Sequence, residues 1–142
     1  MGKKRVIKKG ESSSNTAASV RIPTKGRTFA DGRVSIYSSY NNTIISLADV
    51  QGNVAFSTSA GSVGFKGTKK STPYAASKVA EALADVAKAR GVERIAITLR
   101  GIGPGRESAL RSLGARGFEI QFIRDLTPVP HNGPRKKKVR RV

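Results

Sequence analysis

The sequence has no cysteine, a single histidine and only nine acidic residues in a chain of 142. Without cysteine there is no disulfide scaffold, no thiolate zinc site and no cysteine nucleophile. His131 and a few scattered carboxylates leave little for a metal centre, and no cofactor is expected. No apolar run approaches the length of a membrane span, and no signal-peptide core follows the start. Hydrophobic residues make up 37%, which leaves room for one small core and unburied flanks. The length suits one domain.

Positive charge is what the chain has in abundance. Lys and Arg number 27, for a formal charge of +18. Such a self-repelling charge destabilises a compact fold unless a polyanion neutralises it, so the composition points to a soluble, intracellular polyanion binder. Residues 1–33 carry +7, residues 34–123 carry +5 and residues 124–142 carry +6. Thirteen of the eighteen units therefore lie in the flanks. The first flank holds Lys3, Lys4, Arg5, Lys8, Lys9, Arg27 and Arg33 in a Ser-, Thr- and Gly-rich stretch with no hydrophobic period. The last has three prolines and then Arg135, Lys136, Lys137, Lys138, Arg140 and Arg141. Both read as basic tails, giving a division into 1–33, a core at 34–125 and a tail at 126–142. One basic tail is a weak signal, but two around a basic core favour nucleic acid.

Between the tails, Val34–Tyr40 alternates and Thr43–Ala48 and Asn53–Thr58 follow after turn signals, an antiparallel meander. Thr72-Pro73 starts a helix with a hydroxyl cap and proline in the first turn. Ala76, Val79, Ala80, Leu83, Val86 and Ala87 form its apolar stripe, and Gly91 ends it. Arg94–Arg100 is a strand, a second helix runs from about Pro104 to Arg116, and Phe118–Arg124 is the last strand. The expected fold is α/β: a mixed five-stranded sheet with two helices.

Two strand-to-helix loops are candidates for binding anions. Gly61–Pro73 combines Gly67, Lys66, Lys69, Lys70 and Ser71 with a helix N-terminus, but lacks the spacing of a nucleotide-binding P-loop. Phe65 in this loop is placed equally to stack on a base or to plug the core. Arg100-Gly-Ile-Gly-Pro-Gly-Arg106 has Arg where a dinucleotide fingerprint needs its third Gly. Two arginines around Gly103 and Gly105 favour a backbone phosphate over a turn that merely packs helix on strand. In such a sheet both loops share one edge. The Asn132-Gly133 pair is prone to succinimide formation.

A ribonuclease-H-like nuclease shares this element order, but needs clustered carboxylates holding two metal ions, and no strand interior carries them. An RNA chaperone or assembly factor would share charge and tails. A membrane-surface protein needs bulky apolar anchors, where the first helix offers mainly Ala and Val.

Four blocks identify a family. Tyr40–Asn53 (YNNTIISLADVQGN), Gly64–Pro73 (GFKGTKKSTP), Gly103–Ser108 (GPGRES) and Asp125–Gly133 (DLTPVPHNG) resemble small-subunit ribosomal protein eleven, bacterial type, in unbroken order. One departure is Pro134-Arg135-Lys136-Lys137, where family members usually have Cys-Arg-Pro-Pro. The resemblance implies a ribonuclease-H-like fold without nuclease carboxylates. It also implies a place on the small-subunit platform, bridging rRNA helices and helping to form the Shine–Dalgarno cleft that accepts mRNA, beside small-subunit proteins seven and eighteen. The candidate RNA contacts are then the flank cations named above, Asn41, Asn42, Lys66, Gly67, Lys69, Lys70, Ser71, Arg100, Gly103, Gly105, Arg106, His131 and Asn132. Neither catalysis, nor a membrane, nor a homo-oligomer is expected, and the location is a cytoplasmic or organellar ribosome.

Overall fold

A computed structural model describes residues 28–140. Strands β1 (Asp31–Ser38), β2 (Thr43–Ala48) and β3 (Val54–Ser59) form the meander. A 3-10 turn (Gly67–Ser71) leads into α1 (Pro73–Ala89), followed by β4 (Arg94–Arg100), α2 (Arg106–Ala115) and β5 (Glu119–Asp125). The sheet order is β3-β2-β1-β4-β5, with the first three strands antiparallel and β1, β4 and β5 mutually parallel. The mixed five-stranded sheet with two helices is thus as the sequence pattern led one to expect.

Alternation decides which side chains face the helices. Val34, Ile36, Ile45, Leu47, Ile95, Ile97 and Leu99 point from the sheet into the core. Helix α1 crosses β2 and β3, α2 lies against β1, and the helices pack on each other, so both cover one face. Thr72 caps α1 by accepting a hydrogen bond from the Ala75 amide at 3.2 Å. Five of its eight buried residues are alanine, which brings the helix close to the sheet. Leu83 is its largest buried side chain, with no exposed surface. Leu83→Ala is expected to cost about 3 kcal/mol, read as a lower denaturation midpoint at unchanged slope.

The element boundaries differ locally from the pattern. Strand β1 begins at Asp31, because Asp31 and Gly32 pair with Arg94 and Ile95 and the Ala30 carbonyl accepts from the Glu93 and Arg94 amides. It ends at Ser38, because Ser39 starts a tight turn: its amide donates to the Asn42 carbonyl at 2.9 Å, and its Oγ accepts from the Asn42 amide at 3.1 Å. Helix α2 starts at Arg106, since Gly103-Pro104-Gly105 remains in the turn that packs on β1 and β2.

Candidate nucleic-acid interface

Strand direction assembles the interface. Because β1, β3, β4 and β5 all run the same way, their C-terminal ends open at one edge of the sheet. The Ser39–Asn42 turn, the 60–72 loop, the 101–105 loop and the start of the tail at Leu126 therefore converge there. Lys66 and Lys69 are exposed on this edge and Lys70 is half-buried. Arg100 is exposed at the end of β4.

The acids lie elsewhere. Asp31, Asp49, Glu93 and Glu119 mark the opposite edge, and Glu81 and Asp85 lie on α1, where Arg116 reaches both. Among the described residues, only Glu107 and Asp125 approach the loop edge. Glu107 pairs with Arg111 one turn along α2 at 3.2 Å, and Asp125 pairs with Arg106. The loop edge is basic, whereas at the far edge Asp31, Asp49, Glu93 and Glu119 are offset by Lys88, Arg90 and Arg94. Among the described residues no group of three His, Asp or Glu could hold a metal ion.

Glycines let the loops interlock. Gly101 has φ +97°, and a Cβ on it would collide with the Ser38 carbonyl oxygen. A Cβ on Gly103 would overlap the Ser39 carbonyl oxygen. Gly103 and Gly105 are both buried, so these glycines serve close packing against the Ser39–Asn42 turn and α1.

Arg106 anchors this junction. Its Nη1 donates to the Gly101 carbonyl at 2.6 Å, and its Nη2 pairs with the Asp125 carboxylate. Thr127 completes the tie: its Oγ1 accepts from the Gly101 amide at 3.2 Å and donates to Asp125 Oδ1 at 2.6 Å. Leu126 N–H donates to the Leu99 carbonyl at 2.8 Å. The tail then leaves the sheet at the basic edge, exposed nearly throughout from Pro128 to Arg140.

The bonds from Thr127, and then that from Arg106, hold the Asp125 carboxyl at about 2, below its ordinary 3.8. A depressed carboxyl stabilises the anchored form fully above the unfolded value and loses that contribution as pH falls through the folded one. The tail anchor is therefore expected to persist from pH 7 to pH 4 and to release towards pH 2. An NMR titration of the Asp125 carboxyl carbon checks this, and in Arg106→Gln the midpoint should move up.

Residues 32–141 match the family described as Ribosomal protein S11. The chain belongs to that family. The small ribosomal subunit protein uS11 of Neisseria gonorrhoeae is 47% identical over 129 residues, covering 91% of this chain and 98% of the relative. That of Neisseria meningitidis serogroup B shows the same identity and coverage. The uS11 of Chromobacterium violaceum is 46% identical over the same spans. Family membership makes the chain a structural ribosomal protein and not an enzyme.

For this S11-family chain the structure brings together Asn41, Asn42, Lys66, Gly67, Lys69, Lys70, Ser71, Arg100, Gly103, Gly105 and Arg106 at one edge. Several of them already have internal partners. Asn42 Oδ1 accepts from the Thr43 amide at 3.0 Å, and Ser71 Oγ donates to the Thr68 carbonyl at 3.2 Å. Asn41, Lys66, Lys69 and Arg100 are exposed. Arg33 stands apart, on the sheet surface towards the other edge. His131, Asn132 and Arg135 to Arg140 lie exposed along the tail, with Asn132 at φ +53°. Lys3, Lys4, Arg5, Lys8, Lys9, Arg27 and Arg141 lie outside the described residues. Phe65 packs against the core and meets the Tyr74 ring edge-on at 5.9 Å, so it plugs the loop.

Sequence reasoning missed Tyr40, Ile102 and Tyr74, which stand 69%, 62% and 64% exposed around the same edge. Tyr40 was hidden by the alternation that extended β1 through it. The tie Thr127 makes to the loop carried no local signal, because its partner Gly101 lies 26 residues away.

Proposed function

We propose that this chain binds and bridges small-subunit rRNA helices on the platform of the small ribosomal subunit, near the Shine–Dalgarno cleft, in support of translation. The observation that carries this reading is the convergence of four connecting segments on one edge where every described acid is ion-paired. Exposed lysines and backbone amides there meet phosphates, while the tail threads between helices and orders on binding. A-form RNA offers phosphates and 2′-hydroxyls more readily than base edges, so recognition is chiefly by shape. Arg106 and the buried glycines act as positioning residues for this surface.

The family resemblance supports three finer assignments. The strand order, three antiparallel strands followed by two parallel crossovers, fits a ribonuclease-H-like fold. The division into residues 1–33, 34–125 and 126–142 sets tails around one core, with Asp31–Arg33, which already pair in β1, counted in the core. The partners are rRNA, small-subunit proteins seven and eighteen, and mRNA at the cleft, in the cytoplasm.

Sucrose-gradient sedimentation of a lysate at moderate and high salt tests the reading. One copy per small subunit, retained at high salt, is expected. Substoichiometric or salt-labile association would identify an RNA chaperone or assembly factor and end the platform assignment.

A further inference from the structure

The face of the sheet opposite the helices has no element over it among the described residues. Strand register places Ser57, Ser46, Ser35 and Thr98 side by side across β3, β2, β1 and β4, with Arg124 next in the row on β5. The Ser46 and Ser57 hydroxyls lie 3.0 Å apart. These short side chains form a shallow floor. One row towards the loop edge, Tyr37 sits beside Arg100, and one row the other way Phe122 pairs with Ala96.

Tyr37 is 47% exposed and Phe122 40%, and the Arg124 guanidinium lies 4.6 Å from the Phe122 ring centroid. A trough of about 600 Å³ runs between Tyr37, Arg100 and Leu126 over Ser35 and Thr98. The face carries Arg33, Arg100 and Arg124 without a carboxylate beside them. Its two acids, Asp31 and Glu119, occupy the end row, where Arg94 binds Asp31 at 2.7 Å.

From this arrangement we infer that the uncovered sheet face is a second RNA-binding surface, which takes an unpaired RNA segment and stacks a base at Tyr37. The inference rests on the RNA-binding reading above. It adds a surface that the loops and tails do not supply. Aromatic side chains on an open sheet stack on bases of any identity, and arginines beside them neutralise the adjoining phosphates. The row of Ser and Thr hydroxyls can donate to phosphate oxygens and can both donate to and accept from ribose 2′-hydroxyls. A protein partner fits less well, because the centre of a protein–protein interface is apolar and this centre is a row of hydroxyls. The charge agrees: a basic face on a chain of +18 is complementary to a polyanion.

The test is ultraviolet crosslinking of intact small subunits containing the full chain, with adducts located by mass spectrometry. Nucleotide adducts on the β1 peptide at Tyr37 or the β5 peptide at Phe122, alongside adducts on the 60–72 loop or the tail, are the expected result. Adducts on loop and tail with none on β1 or β5 would overturn this inference and leave the RNA-binding reading standing. Crosslinks from Tyr37 to another protein would do the same, and no RNA adduct anywhere would remove both. A second measurement does not depend on crosslinking yield. Arg124→Gln should make the salt dependence of rRNA binding shallower by about 0.7–0.9 in log–log slope. An unchanged slope in a folded variant would also count against the surface.

Discussion

Gly103→Ala should abolish incorporation into small subunits and lower the stability of the free chain by about 3 kcal/mol. The new methyl group would occupy the place of the Ser39 carbonyl oxygen and press on the Ser38 hydroxyl at 2.5 Å. Neither neighbour can swing aside. Ser39 is held in its turn by Asn42, and Ser38 is buried at the end of β1. Relief would have to come from moving the 101–105 loop away from the Ser39–Asn42 turn, which separates two of the segments that make the basic edge. Alanine at Gly52, in the turn between β2 and β3 away from the basic edge, is the matched control. That position has φ +94° but open space around its Cβ, so it bears a backbone penalty of about 1 kcal/mol and no collision. Denaturation midpoints and gradient stoichiometry of the two variants give the comparison. Equal stability of Gly103→Ala and the parent would refute the packing argument.

The second large effect is expected in the tail. Replacing Arg135, Lys136, Lys137, Lys138, Arg140 and Arg141 by glutamine removes six of the chain's 27 basic residues while leaving every described core residue untouched. If each meets a phosphate, the log–log salt slope of rRNA binding should become shallower by about 4, and affinity near physiological salt should fall by roughly a thousandfold. Thermal stability of the free chain should hold or rise slightly, because six like charges no longer repel. Lys69 and Lys70 to glutamine should act in the same direction with about a third of the slope change. Arg106→Gln should behave differently. Its guanidinium is already engaged by Gly101 and Asp125, so its loss should loosen the tail anchor at Thr127 more than it changes the salt slope. A slope change in Arg106→Gln as large as that of the double lysine variant would make it a direct phosphate contact.

Much of this was legible along the chain, because the signals were local. Alternation in Val34-Ser-Ile and in Ile95-Ala-Ile-Thr-Leu reflects strands with one face on a core. Thr72-Pro73 caps α1 through a bond that spans three residues. The basic tails needed only composition. The glycine loop at 101–105 was legible as special but not for its reason: the pattern Gly-x-Gly-x-Gly suits an approaching phosphate or an approaching backbone, and the nearest neighbours of Gly101 and Gly103 are backbone carbonyl oxygens. The role of Arg106 was out of reach, because its carboxylate partner lies 19 residues further on, at the end of β5.

By itself the sequence determined the elements, the alanine-lined helix, the poverty of catalytic groups and the excess of positive charge, all of which depend on neighbours within a turn or a strand. Only the tertiary structure decided where that charge faces. Parallel pairing of β1 with β4 and of β4 with β5 sends their C-terminal loops to one edge and leaves Asp31, Asp49, Glu93 and Glu119 at the other. A scattered set of lysines and carboxylates thereby becomes a domain with one basic end. Strand direction, a property of pairing between distant segments, is the physical cause.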